Sequence, residues 1–342
     1  MANAPSVQTT PPVSTQPIDW PNARVVITGG AGFLGKAVQE RLKVRGVKPG
    51  NVFIPRRKDF DLTDRVDCAR LYRSAFGQQK VDVMIHLAAE VGGIGANQAN
   101  PGRYFFANMA MALHLIEEAR QDALAERGGK FIQVGTICAY PKFAPIPFKE
   151  EDLWNGYPEE TNAPYGVAKK AAWQMLDAYR LQYGFRGAFV LPVNLYGPHD
   201  NFDLKSSHVI PALIRKCVEA QQRGDKEIVC WGTGSASREF LYVEDAAEGI
   251  CRAADVMNDP DPINLGACFE ITIKDLVELI VKLTGFKGGI VWDKTKPDGQ
   301  PRRKLSVEKA EKLLGWKSQV TFEEGLKRTI DYYNQHRDTL RE

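Results

Sequence analysis

Tyr165 and Lys169 stand four residues apart in the run Tyr165-Gly166-Val167-Ala168-Lys169. On a helix that spacing puts the phenol and the amine on one face. An unperturbed phenol has a pKa of about 10 and transfers protons poorly at neutral pH. An ammonium about 4 Å away contributes roughly 4 kcal/mol at an effective dielectric near 20. The expectation is a lowered phenol pKa, which is the tuning that acid–base work needs. Tyr-x-x-x-Lys alone is a common pattern, so its weight depends on what surrounds it. Upstream, Gly135-Thr136-Ile137-Cys138 closes a strand-like run that begins at Lys130. The Thr136 hydroxyl can donate to a carbonyl oxygen and polarise it. Cys138 lies two residues on, so on an extended strand end it points to the same side. As a thiolate it can act as a base, although inert packing is the commoner fate of a strand-end cysteine.

Such groups need a scaffold, and Val25–Leu42 supplies its start. Val25-Val26-Ile27-Thr28 is a β-branched run suited to a buried strand. Leu34, Val38 and Leu42 then recur at the spacing of one helical face. Between them Gly29, Gly32 and Gly35 give a tight turn into a helix N-terminus, where a phosphate meets free N–H groups and a positive dipole end. Strand, glycine loop and helix together point to dinucleotide binding. A second strand is expected at Asn51–Pro55, with Arg56 and Arg57 immediately after it. That position lies beside the adenosine ribose, and two arginines suit a 2′-phosphate, so NADPH is favoured over NADH.

Further strands are expected at Val81–Ala89, Lys130–Gly135, Ala188–Val193 and Ile263–Leu265. Helices are expected at Tyr104–Arg120, Tyr165–Gln182, Val209–Ala220, Ile273–Thr284 and Val307–Leu314. Leu195–Asp203 reads as loop. Alternating strands and helices imply an α/β fold, a Rossmann-type doubly wound parallel sheet. A smaller, discontinuous C-terminal lobe is expected over the strand ends, with the substrate in the cleft between. The expected division is a disordered tail over 1–22, a cofactor domain over 23–195 and 236–267, and a substrate lobe over 196–235 and 268–342.

The 342 residues are 44% hydrophobic, enough for a large core. A net charge of +3 gives no reason to invoke nucleic acid or an anionic membrane. The six cysteines form no CxxC pair and no zinc-spaced cluster with histidine, so no metal is expected. Five of them read as buried free thiols in a reducing compartment, the exception being Cys138. Residues 1–19 lack the apolar run of a signal peptide or membrane span, and a cytoplasmic location is the simplest reading.

Longer motifs carry a resemblance. They are Thr28–Gly35, His86-Leu87-Ala88-Ala89 with Val91-Gly92-Gly93-Ile94, Cys138-Ala139-Tyr140-Pro141 and Tyr165–Lys169. Further on come Asn194–Phe202, Ser207-His208-Val209-Ile210-Pro211-Ala212, Trp231-Gly232-Thr233-Gly234, Arg238–Leu241 and Lys296-Pro297-Asp298-Gly299. Over about residues 23–335 the chain resembles the extended short-chain dehydrogenase/reductase family. It is most similar to the branch that moves protons at C3 and C5 of a GDP-linked 4-keto-6-deoxy sugar and then reduces C4. The resemblance implies a Cys138/His208 pair for the proton transfers, although His208 alone would read as a core or capping histidine. It implies Tyr165 as proton donor to O4, assisted by Lys169 and Thr136. The family usually has serine where Thr136 stands, and threonine keeps the hydroxyl. Implied NADPH contacts are Gly29, Gly32, Phe33, Leu34, Gly35, Arg56, Arg57, Asp61, Leu62, Ala88, Lys169, Pro192, Asn194, Leu195 and His199. Implied contacts to the GDP-sugar substrate are Lys216, Trp231, Arg238, Asp298 and Arg303. Core packing is the competing role for Trp231, and a solvated basic turn for Arg303. A homodimer built on the helices near Tyr104–Arg120 and Tyr165–Gln182 is also implied, with no nucleic acid or membrane partner. The rivals are a colitose- or heptose-type enzyme of the same branch, or a non-catalytic NADP(H)-binding regulator. The regulator would be expected to lose Tyr165 or Lys169, and both are present.

Overall fold

The computed structural model describes residues 16–340 apart from 93, 125, 205, 297 and 299. Gly93, Pro297 and Gly299 of the motifs above therefore lie outside the described residues, as do residues 1–15 of the tail expected over 1–22. Strand β1 (Val25–Thr28) consists of four β-branched residues, all buried, as befits a strand covered by helices on both faces. It is followed by α1 (Phe33–Val44), β2 (Val52–Phe53), α2 (Arg65–Ser74), β3 (Val83–His86), α3 (Ile94–Ala99) and α4 (Pro101–Gln121). Then come β4 (Lys130–Val134), α5 (Ala163–Tyr183) and β5 (Gly187–Pro192). Helix α5 stops at Gly184, whose φ of 63° is the left-handed conformation that ends helices.

The chain next leaves the sheet through β6 (Asn194–Tyr196), α6 (Val209–Arg223), β7 (Glu227–Trp231), β8 (Ser237–Arg238) and β9 (Phe240–Tyr242). It returns through α7 (Val243–Val256) and β10 (Ile263–Leu265). The remainder is β11 (Ile271–Thr272), α8 (Ile273–Thr284), β12 (Gly289–Asp293), β13 (Arg302–Arg303), α9 (Glu308–Leu314) and α10 (Phe322–Leu340). The main sheet is parallel, in the order β10-β5-β4-β3-β1-β2. Buried residues of α1 and α7 pack on one face, and those of α2, α4 and α5 on the other. This is the doubly wound Rossmann-type architecture. The chain goes from β1 outward to β2 and then back past β1 to β3, so a crevice opens beyond the carboxyl ends of β1 and β3.

A separate core of α6, α8 and α10 forms the smaller lobe, with Ile210, Leu213, Ile214, Leu276, Ile280 and Leu326 buried in it. Several boundaries differ from expectation. Leu195 and Tyr196, expected as loop, belong to β6, which pairs in parallel with β9. That partner lies more than forty residues away, beyond the reach of local pattern. Leu305, Ala310, Leu314 and Trp316, expected in the substrate lobe, are buried in the core on the α1/α7 side of the sheet. Trp316 donates to Asp245 O at 3.1 Å and lies against Gly249, where a β-carbon would fall 3.1 Å from its ring. The tail expected through residue 22 ends sooner, because Trp20 is buried in the same core and donates through Nε1 to Asp255 at 2.5 Å. Helices α2, α3 and α10 were not anticipated, and neither were β7, β8, β11, β12 and β13. Among the described residues no helix is long and apolar enough to cross a membrane.

Candidate active site

The turn after β1 is built by close approach. Gly29 has φ +70°, and a β-carbon there would fall 2.8 Å from Ala88 N, just past β3. At Gly35 a β-carbon would fall 2.4 Å from Gly30 Cα. Only glycine lets the two loops meet at the crevice and the helix start close on its own turn. Gly32 is the N-cap of α1, and no side chain closes the helix end. Phe33 and Leu34 open that helix. The Thr28 hydroxyl accepts from Ala88 N at 3.3 Å and pairs with His86 Nδ1 at 2.7 Å, tying the two strand ends together. This cradle fits a dinucleotide phosphate.

Arg56 and Arg57 are exposed just past β2. Arg57 pairs with Glu90 at 3.0 Å, and Glu90 also accepts from Arg103 at 2.6 Å. Asp61 accepts from Thr63 N and Oγ1 at 3.0 and 2.8 Å, and these hydrogen bonds hold its carboxyl below the usual range. Leu62 is buried beside it. On the other side of the crevice, Pro192 ends β5, and Asn194 donates to Glu239 O at 2.9 Å. Leu195 packs against the core. His199 has φ +70°, uncommon for a residue other than glycine. Its Nδ1 lies 2.8 Å from the Tyr332 hydroxyl and 3.2 Å from Lys36 Nζ. It thereby links the first turns of α1 to α10 of the smaller lobe.

Tyr165 and Lys169 share the buried face of α5. Lys169 Nζ is 5.9 Å from the Tyr165 ring centroid. The lowered phenol pKa expected from their spacing is not found. Burial pushes the Tyr165 phenol up, the Cys138 sulfur adds to that, and a hydrogen bond with Thr136 works in the opposite direction. Burial also brings the Lys169 amine down to about 8. Removing a phenolate from water costs more than a cation at this distance returns. Tyr165 therefore holds its proton at neutral pH, as a proton donor must.

Thr136 is extended at φ −159°, but Ile137–Ala139 forms a single 3₁₀ turn. The extended strand end expected to carry Thr136 and Cys138 on one side is thus absent. The Thr136 hydroxyl instead accepts from Cys138 N at 3.2 Å, and helix α5 closes on this turn. At Gly166 a β-carbon would fall 2.3 Å from Cys138 O. The glycine inside Tyr-Gly-x-x-Lys is what lets α5 bring Tyr165 up to Thr136 and Cys138.

Cys138 is partly exposed. Arg303 donates to its Sγ at 3.6 Å, so Arg303 is a largely buried group beside the thiol rather than a solvated turn. His208 stands at the N-cap of α6 and makes no capping hydrogen bond; the protein mass around it lowers its pKa. Trp231 is 64% exposed, which excludes core packing, and Lys296 Nζ lies 5.4 Å from its ring centroid. Lys216 donates to Val229 O at 3.0 Å. Arg238 donates to Asp298 O at 3.2 Å, and burial brings its pKa down to about 10. The Asp298 carboxylate accepts from Thr233 N and Oγ1 at 2.6 and 2.7 Å, so it orders the 231–234 turn. Of the cysteines, Cys68, Cys217, Cys230 and Cys251 are buried, whereas Cys268, expected buried, is exposed on a turn with φ 58°.

Sequence reasoning missed two acidic groups that build this region. Glu239 is fully buried and accepts from Leu305 N, Ala267 N and Cys268 N at 2.7, 2.7 and 2.9 Å, pinning the 302–306 segment to the sheet. Glu159 accepts from Thr161 Oγ1 and Asn162 Nδ2, both at 2.6 Å, and lies 3.9 Å from Arg303. Neither carries a local signal, since an acid next to a strand or helix usually faces water.

Known proteins resemble this chain in sequence and in fold. Residues 25–266 match the pattern of the NAD dependent epimerase/dehydratase family. GDP-L-fucose synthase 1 of Arabidopsis thaliana is 38% identical over 91% of this chain and 93% of its own. GDP-L-fucose synthase of Escherichia coli K12 is 36% identical over 93% of this chain and 98% of its own. A solved GDP-L-fucose synthetase from Naegleria fowleri bound to NADP superposes with a TM-score of 0.82 at 29% identity. It covers 97% of this chain and 100% of that one. The chain belongs to the NAD dependent epimerase/dehydratase family.

Proposed function

We propose that the protein is an NADPH-dependent enzyme that epimerises C3 and C5 of GDP-4-keto-6-deoxy-mannose and reduces C4, giving GDP-L-fucose. The observation that carries this reading is the meeting of a phenol that keeps its proton with a thiol on the Thr136 turn. The relatives named above support the substrate.

Protons beside a ketone are acidic because the electron pair left behind delocalises onto oxygen as an enolate. Inversion needs a base on one face of the carbon and an acid on the other. Cys138 and His208 are assigned those roles; both residue types work near neutrality. Tyr165 then gives its proton to O4, with Thr136 hydrogen-bonded to that oxygen and Lys169 in reserve to reprotonate the phenol. The cofactor, when bound, supplies the hydride to C4. Gly29, Gly32, Gly35 and the start of α1 would hold its phosphates, and Arg56 and Arg57 its 2′-phosphate. Lys216 and Arg238 bring positive charge to the GDP end of the cleft, exposed Trp231 offers it a flat apolar face, and Arg303, beside Cys138, meets the substrate at its sugar. The working unit is a homodimer.

Incubation with GDP-4-keto-6-deoxy-mannose and NADPH, followed by NMR of the product, tests the reading. GDP-L-fucose is expected. An unchanged keto sugar overturns the assignment, and a 4-reduced sugar without inversion overturns its epimerase half.

A further inference from the structure

Arg303 and Cys138 are 165 residues apart in the chain and in contact in the fold. The contact is built. The Phe148 N–H donates to Lys304 O at 2.8 Å, and Ser306 N donates to Phe148 O at 2.8 Å, so the 303–306 segment runs beside the loop that follows Cys138. Gln300 ties the same segment to Lys142 O at 2.8 Å. Around the guanidinium, Nε donates to Gln300 at 2.7 Å and Nη2 lies 3.9 Å from the Glu159 carboxylate. The remaining Nη1 points at Cys138 Sγ. Glu159 is itself held by Thr161 and Asn162, so its carboxylate is fixed beside the arginine.

On the reading proposed above, we infer that Arg303 is the cation that supports the Cys138 thiolate during proton transfer, and that Glu159 is the positioning residue that aims it. When the thiolate takes the proton, the C–H bond breaks, an S–H bond forms and the electron pair passes to the ketone oxygen. A fixed guanidinium favours the anionic sulfur before that step, and it cannot compete for the proton because it stays charged. Arg238, from β8, and Tyr165, from α5, also interact with the sulfur. Arg238 reinforces the effect and Tyr165 remains neutral.

The test is alkylation of Cys138 by iodoacetamide across pH 6–10 in the full-length protein with NADPH. Cys138 and exposed Cys268 are counted separately by peptide mass spectrometry. Arg303→Gln should slow Cys138 alkylation at pH 7 about fivefold or more and move its pH profile upward. Arg303→Lys should recover much of the loss because the charge returns. Glu159→Gln should fall between the two, and Cys268 should not change. An unaltered Cys138 profile in Arg303→Gln overturns the inference, whatever the enzyme does with sugars. So does a slowed profile that Arg303→Lys fails to restore, since that marks a packing defect. With GDP-4-keto-6-deoxy-mannose, Arg303→Gln should lose deuterium exchange at C3 and C5 more than hydride transfer to C4. Unchanged exchange overturns the catalytic part. If the wild type ignores this sugar, the proposed function fails while the thiolate result stands by itself.

Discussion

Tyr165 shows how burial and charge compete at one atom. Spacing alone favours the phenolate, because a lysine shares its helix face. The folded surroundings favour the phenol, because desolvation outweighs an ammonium 5.9 Å from the ring centroid. Tyr165→Phe should therefore leave fold and cofactor binding intact and slow C4 reduction by at least about 10²-fold, the usual scale of general acid catalysis. Deuterium should still enter C3 and C5 from solvent, read by NMR. Reduction at the wild-type rate would remove Tyr165 from its role. Asp200 is a second residue governed by burial. Its Oδ1 accepts from Asn201 N at 2.7 Å, and desolvation raises its carboxyl to about 7. An acid whose pKa is raised on folding binds its proton more tightly in the native state. Its contribution is fully present below about pH 4 and is lost as pH rises through the folded value. Between pH 5 and pH 8 the wild type should lose on the order of 2 kcal/mol more stability than Asp200→Asn. Urea unfolding at the two pH values measures this, and equal losses would count against a protonated Asp200.

At the scale of elements, helix α5 and the turn after β4 act as one part. Gly166 sits where the helix touches Cys138 O. Gly166→Ala brings two opposing effects. Alanine favours a helix over glycine by about 1 kcal/mol. Its β-carbon, however, falls 2.3 Å from a backbone oxygen that cannot rotate away. Overpacking of this kind costs about 1–3 kcal/mol, so the clash should win. The urea midpoint should fall, and reduction should fall further than stability alone explains, because Tyr165 and Thr136 separate. A more stable, fully active variant would show that the helix does not need this approach. The 302–306 segment is a second such part. It places Arg303 because buried Glu239 accepts the Leu305 N–H on one edge and Phe148 pairs with Lys304 O and Ser306 N on the other.

For the whole molecule, two lobes share one chain that crosses between them repeatedly. His199, Lys36 and Tyr332 join them over the cofactor cradle. Helix α4 presents Phe106 and Leu113 to solvent, 62% and 46% exposed and seven residues apart on one face. In the homodimer proposed above these two side chains would lie in the subunit interface. For the proposed homodimer, replacing both with Asp should yield a monomer by light scattering while the circular dichroism spectrum is unchanged. A double variant that remains dimeric would place the interface elsewhere.

The sequence by itself determined the features that depend on neighbours in the chain. Val25–Thr28, the glycine spacing after it and the Tyr165–Lys169 pair were legible because strand, turn and helix are short-range geometries. The same periodicities marked the cofactor sheet and most of its helices. Only the tertiary structure decided which distant segments meet. β6 with β9, Leu305–Trp316 with α7, Trp20 with Asp255 and Arg303 with Cys138 all join residues far apart in the chain. No local spacing encodes such pairs. The tertiary structure also decided the sign of the Tyr165 shift, because desolvation is a sum over every atom packed around a group.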